Sequence, residues 1–292
     1  MSCDFRDVYQ TVTSQIVGYL ERGVRPWASQ WQAQRRLPLR ATGEPYRGVN
    51  VVLLWMAAYR GGYSSPSWLT FNQAKTLGAS VRKGEKATRI VFFEMLVKPD
   101  RREGREGEET TIPLAKTYAV FNADQIDGLP ERFAPPSPLV ADEAGVPGAA
   151  FFAAIGADVR HGGDQACYAP SRDQISMPAL GAFTTPDAYA ATLAHELVHW
   201  TGHETRLARE LSRAGTEDRA IEELIAELGA AFTCGTLGIA TGEREDHASY
   251  IAHYLRVLQN DPRAFMRAAS AAQKAADFLH HRATAASTAT AA

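Results

Sequence analysis

Two histidines four residues apart, with a glutamate between them, carry the clearest chemistry in the chain. His195-Glu196-Leu197-Val198-His199 reads H-E-x-x-H. Residues four apart on a helix share a face, so both imidazoles reach one ion. Glu196 stands one residue on, where its carboxylate touches a water held by that ion and takes its proton. This is the arrangement of metal-assisted hydrolysis. Leu193, Leu197 and Val198 add apolar bulk that buries the helix and keeps bulk water out. With 8 His and 19 Glu in 292 residues, random order yields about 0.014 such matches, so chance does not explain the motif.

A catalytic zinc takes three protein ligands and leaves a fourth position open. Glu222, Glu223 and Glu227 all lie in one downstream apolar run. Glu223 and Glu227 are four apart on one helix face, which suits one ligand and one acceptor that orients a ligand histidine. His203 is the rival third ligand. Metzincins continue the motif to a third histidine, but their glycine falls here at Gly202 and their histidine at Thr205. His203, Tyr168 and Arg172 remain candidate cleft residues.

These side chains need helices to hold them. Thr185-Pro186-Asp187 is an N-cap with proline at the first helical position, and Gly202 is placed to stop the helix that begins there. A second helix is expected over about residues 217–237, and two more over 247–258 and 262–282. Residues 166–177 read as two short strands around a turn at 170–173. Upstream, Val8, Val12, Ile16 and Leu20 mark a helix over 4–22, and residues 50–59 and 71–77 two further ones. Residues 89–97 and 116–122 read as a hairpin across a charged loop. The stretch 129–148 holds five prolines and cannot be regular, so it marks a boundary. The fold class expected is α+β in two domains: 1–130, a linker 131–148, a mostly helical 149–283 with a small sheet, and a disordered tail 284–292.

Composition narrows the function further. No apolar run reaches the ~20 residues of a membrane span, and the N-terminus lacks a basic-then-apolar leader, so a cytoplasmic protein with no membrane partner is expected. Cys3, Cys167 and Cys234 are odd in number and widely spaced, which excludes a disulfide framework and a cysteine zinc site. Residues 1–133 hold 19 Lys+Arg and 14 Asp+Glu (+5). The rest hold 12 and 19 (−7), so a net charge of −2 hides a basic first half. That half interleaves aromatic and cationic residues: Trp27, Trp31, Arg35, Arg36, Tyr46, Arg47, Trp68, Arg82 and Lys83. Cations that follow phosphates and rings that stack on unpaired bases make a single-strand surface. Tryptophans are also the usual filling of a core, and composition alone favours that reading.

A resemblance weights these readings. Asp7-Val8-Tyr9-Gln10, Pro26-Trp27, Tyr46-Arg47-Gly48-Val49-Asn50, Trp68-Leu69-Thr70-Phe71-Asn72-Gln73-Ala74, Val81-Arg82-Lys83-Gly84-Glu85 and Val120-Phe121-Asn122-Ala123-Asp124-Gln125 resemble, in order, the N-terminal domain of ArdC-type antirestriction proteins, found also in TraC-type primases of conjugative plasmids. The resemblance implies binding of single-stranded DNA without strong sequence preference. The second half is similar to the zincin-like domain of the same family at Ser171–Pro178, at the motif from His195 to Gly202 and at Glu222–Phe232. Zincins carry Glu-x-x-x-Asp/Glu on a later helix, the first acid binding zinc. By that pattern Zn²⁺ is held by His195, His199 and Glu223, with Glu196 as base and Glu227 as the orienting carboxylate. By zincin analogy the strand at Ile175–Met177 borders the cleft and pairs with an extended peptide. The function implied is plasmid-type antirestriction, with a DNA-bound host protein such as a restriction enzyme as a candidate substrate. The alternatives are a DNA-dependent metalloprotease that cuts DNA-bound proteins, and a non-catalytic DNA-binding protein with a structural zinc.

Overall fold

A computed structural model describes residues 5–28, 36–99, 109–135, 145–211, 217–241 and 247–290. In the first half, α1 (Phe5–Leu20) buries Val8, Val12, Ile16 and Leu20, the helical spacing expected. Helix α2 (Val49–Gly61) is buried along its length from Val49 to Ala58 apart from Asn50, so it is a core helix rather than an amphipathic one. Gly62 ends it in the left-handed conformation at φ 65°, which costs glycine least. Strands β1 (Leu39–Arg40), β2 (Ser67–Leu69), β4 (Thr88–Pro99) and β5 (Glu109–Asn122) form a sheet in the order β1-β2-β5-β4. A short helix, α3 (Phe71–Thr76), opens with a capping box between Thr70 and Gln73, and β3 (Ser80–Val81) pairs with β6 (Ile126–Asp127). The antiparallel β4–β5 arm is longer than its apolar runs indicate. The charged loop at 100–108 lies outside the described residues.

The second half begins with α4 (Ala149–Ile155) and a three-stranded sheet of β7 (Asp158–His161), β8 (Cys167–Ala169) and β9 (Gln174–Met177). The order is β7-β9-β8, with β9 parallel to β7 and antiparallel to β8. The strand at Ile175–Met177 therefore has both neighbours filled. It cannot pair with an added peptide as expected; the free edges belong to β7 and β8. Helices α5 (Pro186–Thr201), α6 (Glu217–Leu237), α7 (His247–Asn260) and α8 (Ala264–Thr290) follow. The Ala/Thr/Ser-rich end, expected to be disordered from residue 284, is helical through Thr290 because it continues α8. The start of the proline-rich stretch makes a single 3-10 turn at Glu131–Phe133, and residues 136–144 lie outside the described residues.

The fold is α+β, with the sheets small and the helices dominant, and one buried cluster runs through both halves. Trp55 of α2 meets Phe232 of α6 with ring centroids 6.1 Å apart, and Trp27 meets Phe265 of α8 at 5.8 Å. A smaller cluster around Leu69, Ala74, Ile126 and Phe133 supports the β3–β6 ribbon. Where α6 crosses α5, Gly229 lets the backbones close. A Cβ there would stand 2.8 Å from Cγ2 of Val198, in the turn that carries His199. Gly229→Val is expected to lower stability by about 1–3 kcal/mol through overpacking, read as a lower guanidinium midpoint. An unchanged midpoint would mean that the crossing is looser than drawn.

Candidate metal centre

Helix α5 is fixed at both ends. Thr185 Oγ1 accepts the Ala188 N–H (3.1 Å), with Pro186 behind it, which sets the first turn. At the other end, Arg209 donates to the Val198 carbonyl (2.7 Å) and Arg206 to that of Trp200 (2.6 Å). Two guanidiniums thus satisfy carbonyls that a helix end leaves unpaired, and they complement its dipole. The Arg206 guanidinium also lies 3.9 Å from the centroid of the Trp200 ring. The last two turns of α5 are buried, and with them His195, Glu196 and His199.

The imidazoles point at one spot. His195 Nε2 and His199 Nε2 are 3.2 Å apart. Glu223, from α6, brings Oε2 to 3.4 Å from His195 Nε2 and Oε1 to 3.5 Å from His199 Nε2. A tetrahedral ion with ligands at about 2.1 Å keeps its donors about 3.4 Å apart. The two imidazole nitrogens fit one edge of that arrangement, and each faces a different oxygen of Glu223 at a similar spacing; two imidazoles with one carboxylate suit a zinc-like divalent ion. Among the described residues this is the group of three whose donor atoms converge, all within 4.8 Å. Without a cation, charge is balanced locally. Burial pulls the His199 imidazole down, but the carboxylates of Glu222 and Glu223 outweigh it and hold it at about 9. Burial raises the Glu223 carboxyl, yet the two histidines more than reverse this and hold it far below the usual carboxylate range. A cation held by these residues would have to displace a proton from His199, so its uptake is expected to strengthen as pH rises.

The carboxylate that orients His199 is Glu222. Glu222 Oε1 lies 3.1 Å from His199 Nδ1 and fixes that ring with Nε2 toward the site. Arg209 in turn binds both oxygens of Glu222, at 2.9 and 3.0 Å, and Thr201 Oγ1 at 2.8 Å. One guanidinium therefore joins the end of α5 to the carboxylate behind the histidine. Glu227 accepts from Trp27 Nε1 (2.6 Å), Arg25 (3.3 Å) and the Tyr254 hydroxyl (3.3 Å). Arg25, Arg209, Glu222 and Tyr254 were not selected on sequence. Glu222 carries a signal there in its place in the same acidic run, and Arg25 in its place beside Pro26-Trp27.

A cleft of about 560 Å³ opens beside His195, lined by Thr192, Ala230, Phe183 and, from the first half, Arg25 and Trp27. Tyr168, Arg172 and His203 stand outside it. Tyr168 donates its hydroxyl to Asp173 (2.8 Å) within a network that includes Arg206. Arg172 is exposed, and His203 Nδ1 faces Thr205 at 2.9 Å.

Of the aromatics expected to meet DNA, Trp27, Tyr46 and Trp68 are core residues, 3%, 7% and 1% exposed. None is placed to stack on a base; their size and the apolar surface around them drew them inward. Trp31 and Arg35 lie outside the described residues. Arg36 is half-buried, while Arg47, Arg82 and Lys83 are exposed. Arg82 pairs with Glu85 (3.0 Å) and Asp127 (3.4 Å), and Arg47 pairs with Asp277. The exposed rings of the sheet are others: Phe92 and Tyr118, on the β4–β5 arm, meet edge to face with centroids 6.2 Å apart. The register sets Phe92 opposite Lys116 and Tyr118 opposite Ile90, so both rings and the lysine share one face. No helix among the described residues is long and apolar enough to cross a membrane.

Comparison with known proteins gives the same two parts. Residues 6–121 match the N-terminal domain of anti-restriction factor ArdC, and residues 148–271 match a zincin-like metallopeptidase domain. The chain is 39% identical to an uncharacterized protein, y4eC, of Sinorhizobium fredii, over 94% of this chain and 92% of that one. It is 37% identical to a DNA primase TraC of Escherichia coli, over 93% of this chain but 27% of the primase. Among solved structures it resembles the metal-free crystal structure of antirestriction protein ArdC from plasmid R388, with a TM-score of 0.82 at 44% identity over 95% of this chain and 98% of that one. The Mn(II)-bound crystal structure of that protein gives a TM-score of 0.77 at 43% identity, over 94% and 97% of the two chains.

Proposed function

We propose, for a chain that belongs to the ArdC family of antirestriction proteins, that single-stranded DNA is bound by the first half while a divalent-metal centre in the second hydrolyses peptide bonds, together protecting incoming DNA from restriction. The observation that carries the hydrolytic part is the triangle of His195, His199 and Glu223 with Glu196 beside it in the motif. When bound, the ion acidifies a water and polarises a scissile carbonyl. Glu196 takes the proton of the attacking water and returns it to the leaving amine. Glu222 holds His199 Nε2 toward the site, and the buried end of α5 keeps bulk water out. Zinc suits the donor set and spacing. The R388 relative was crystallised with Mn(II), so the test loads both ions and asks which supports turnover. A DNA-bound host protein, such as a restriction enzyme, is the substrate proposed. The division at the proline-rich stretch, with domains at 1–130 and 149–283, is proposed as one of function.

The DNA part is supported by the match to the ArdC N-terminal domain, the basic first half, and the face that bears Phe92, Tyr118 and Lys116. Stacking requires unpaired bases and adds about 1–3 kcal/mol per base. Phe92→Ala with Tyr118→Ala is therefore expected to weaken single-strand binding about tenfold or more and to leave duplex binding nearly unchanged, by fluorescence anisotropy at fixed salt. An equal loss on duplex would assign these rings to something other than stacking. The test of the whole reading is direct: metal-loaded protein, with and without single-stranded DNA, is incubated with DNA-bound proteins, and cleavage is followed. No cleavage with either ion would remove the hydrolytic part.

A further inference from the structure

A second cationic surface lies where the two halves meet, on a helix of the acidic half. Arg263, in the turn just before α8, and Arg267, Ser270 and Lys274 on it recur at intervals of four, three and four and are all exposed, so they form one stripe. Lining a groove of about 680 Å³ with them are Tyr9 of α1 and Arg47, two residues before α2. Residues 134–292 hold only 12 Lys+Arg against 19 Asp+Glu, and three of the 12 stand on this stripe.

The groove is built, not a chance gap. Gly48 N–H donates to Gln273 Oε1 (2.8 Å), and Thr13 Oγ1 donates to the Pro262 carbonyl (2.6 Å), so both walls are tied at fixed separation. The Arg263 guanidinium lies 5.6 Å from the Tyr9 ring centroid, which places a cation and a ring side by side. Arg267 pairs with Asp261 and Arg47 with Asp277, but these side chains are 38–64% exposed. Ion pairs so exposed contribute little, so both arginines are available to stronger acceptors. The cations of the stripe rise about 6 Å and then about 10 Å along the axis, a row that suits a repeating anion rather than a single one. Guanidinium planes and a ring also offer surfaces for unpaired bases.

We infer that this groove holds a stretch of single-stranded nucleic acid, so that the DNA interface continues from the first half onto α8 of the metallopeptidase half. The inference rests on the single-strand binding proposed above and adds where the strand runs. A strand in the groove bridges the two halves, and Arg263, Arg267 and Lys274 become part of DNA recognition.

The test compares the full chain with its Arg263→Gln/Arg267→Gln/Lys274→Gln variant on a fluorescent single-stranded oligonucleotide of mixed sequence, over a range of salt. Each lost phosphate contact removes about 0.7 from the slope of log affinity against log salt. Three contacts should lower the slope by about 2 and the affinity at 0.1 M salt by about a hundredfold. Unaltered metal uptake and thermal midpoint show that the variant is folded. If it is not, Lys274→Glu alone, at an exposed position, should still cost about fivefold. Binding by the parent with an unchanged variant would overturn the groove and leave single-strand binding intact. No binding by the parent would overturn both. An equal loss on duplex would overturn the assignment to a single strand.

Discussion

Replacing His199 with alanine is expected to weaken divalent-metal retention by about 10²–10³-fold, read as metal per chain after dialysis against a weak chelator. A structural zinc contributes roughly 10–16 kcal/mol through four ligands, so each ligand accounts for about 2.5–4 kcal/mol. His195→Ala and Glu223→Ala should fall in the same range, since the two Nε2 atoms lie 3.2 Å apart and each faces an oxygen of Glu223 at 3.4–3.5 Å. Glu222→Gln should cost less, about 10–100-fold, because Glu222 touches His199 Nδ1 and not the vertex of the site. That step separates the two carboxylates that adjoin in sequence. His203→Ala should leave retention unchanged, as its Nδ1 faces Thr205. Full retention by Glu223→Ala together with loss in His203→Ala would show that the third ligand was misassigned.

The parts of this site that could be read from sequence were those set by local periodicity. H-E-x-x-H puts two rings on one face whatever surrounds it, and Thr185-Pro186 and Gly202 bound its helix within a residue of where it lies. The hairpin, the helices of the second half and the pair β8–β9 followed from the same kind of signal. What failed depended on contacts distant in sequence. Glu222, Glu223 and Glu227 are indistinguishable along α6 until the crossing at Gly229 fixes which edge meets α5, and Arg209, which selects Glu222, comes from the connection between the two helices. Strand β7 reads Asp-Val-Arg-His and is largely exposed, so no apolar alternation announced it; without it β9 looked like an edge. Trp27, Tyr46 and Trp68 lie in the core rather than on a stacking surface, because a large ring near arginines looks the same in sequence in either place. Trp27 is buried against Phe265 with its N–H on Glu227, a partner 200 residues away.

Glu196→Gln should separate binding from chemistry more sharply than any other change. The substitution keeps the shape of a side chain that is 4% exposed and touches none of the three donor atoms' roles, so metal content should stay within about twofold of the parent. Single-strand affinity should also hold, because the DNA surfaces proposed lie on the β4–β5 arm and along α8. Hydrolysis should fall by about 10²–10⁴-fold, the range that a positioned general base supplies, since an amide cannot accept the proton of the attacking water. A chain that keeps metal and DNA but loses cleavage would identify Glu196 as the base. Cleavage persisting at the parent rate would transfer that role to another group. If the variant no longer cleaves yet protects DNA as well as the parent, protection rests on binding alone, and the metal centre serves a separate task. Loss of cleavage and protection together, with binding intact, would make proteolysis the means by which the DNA is defended.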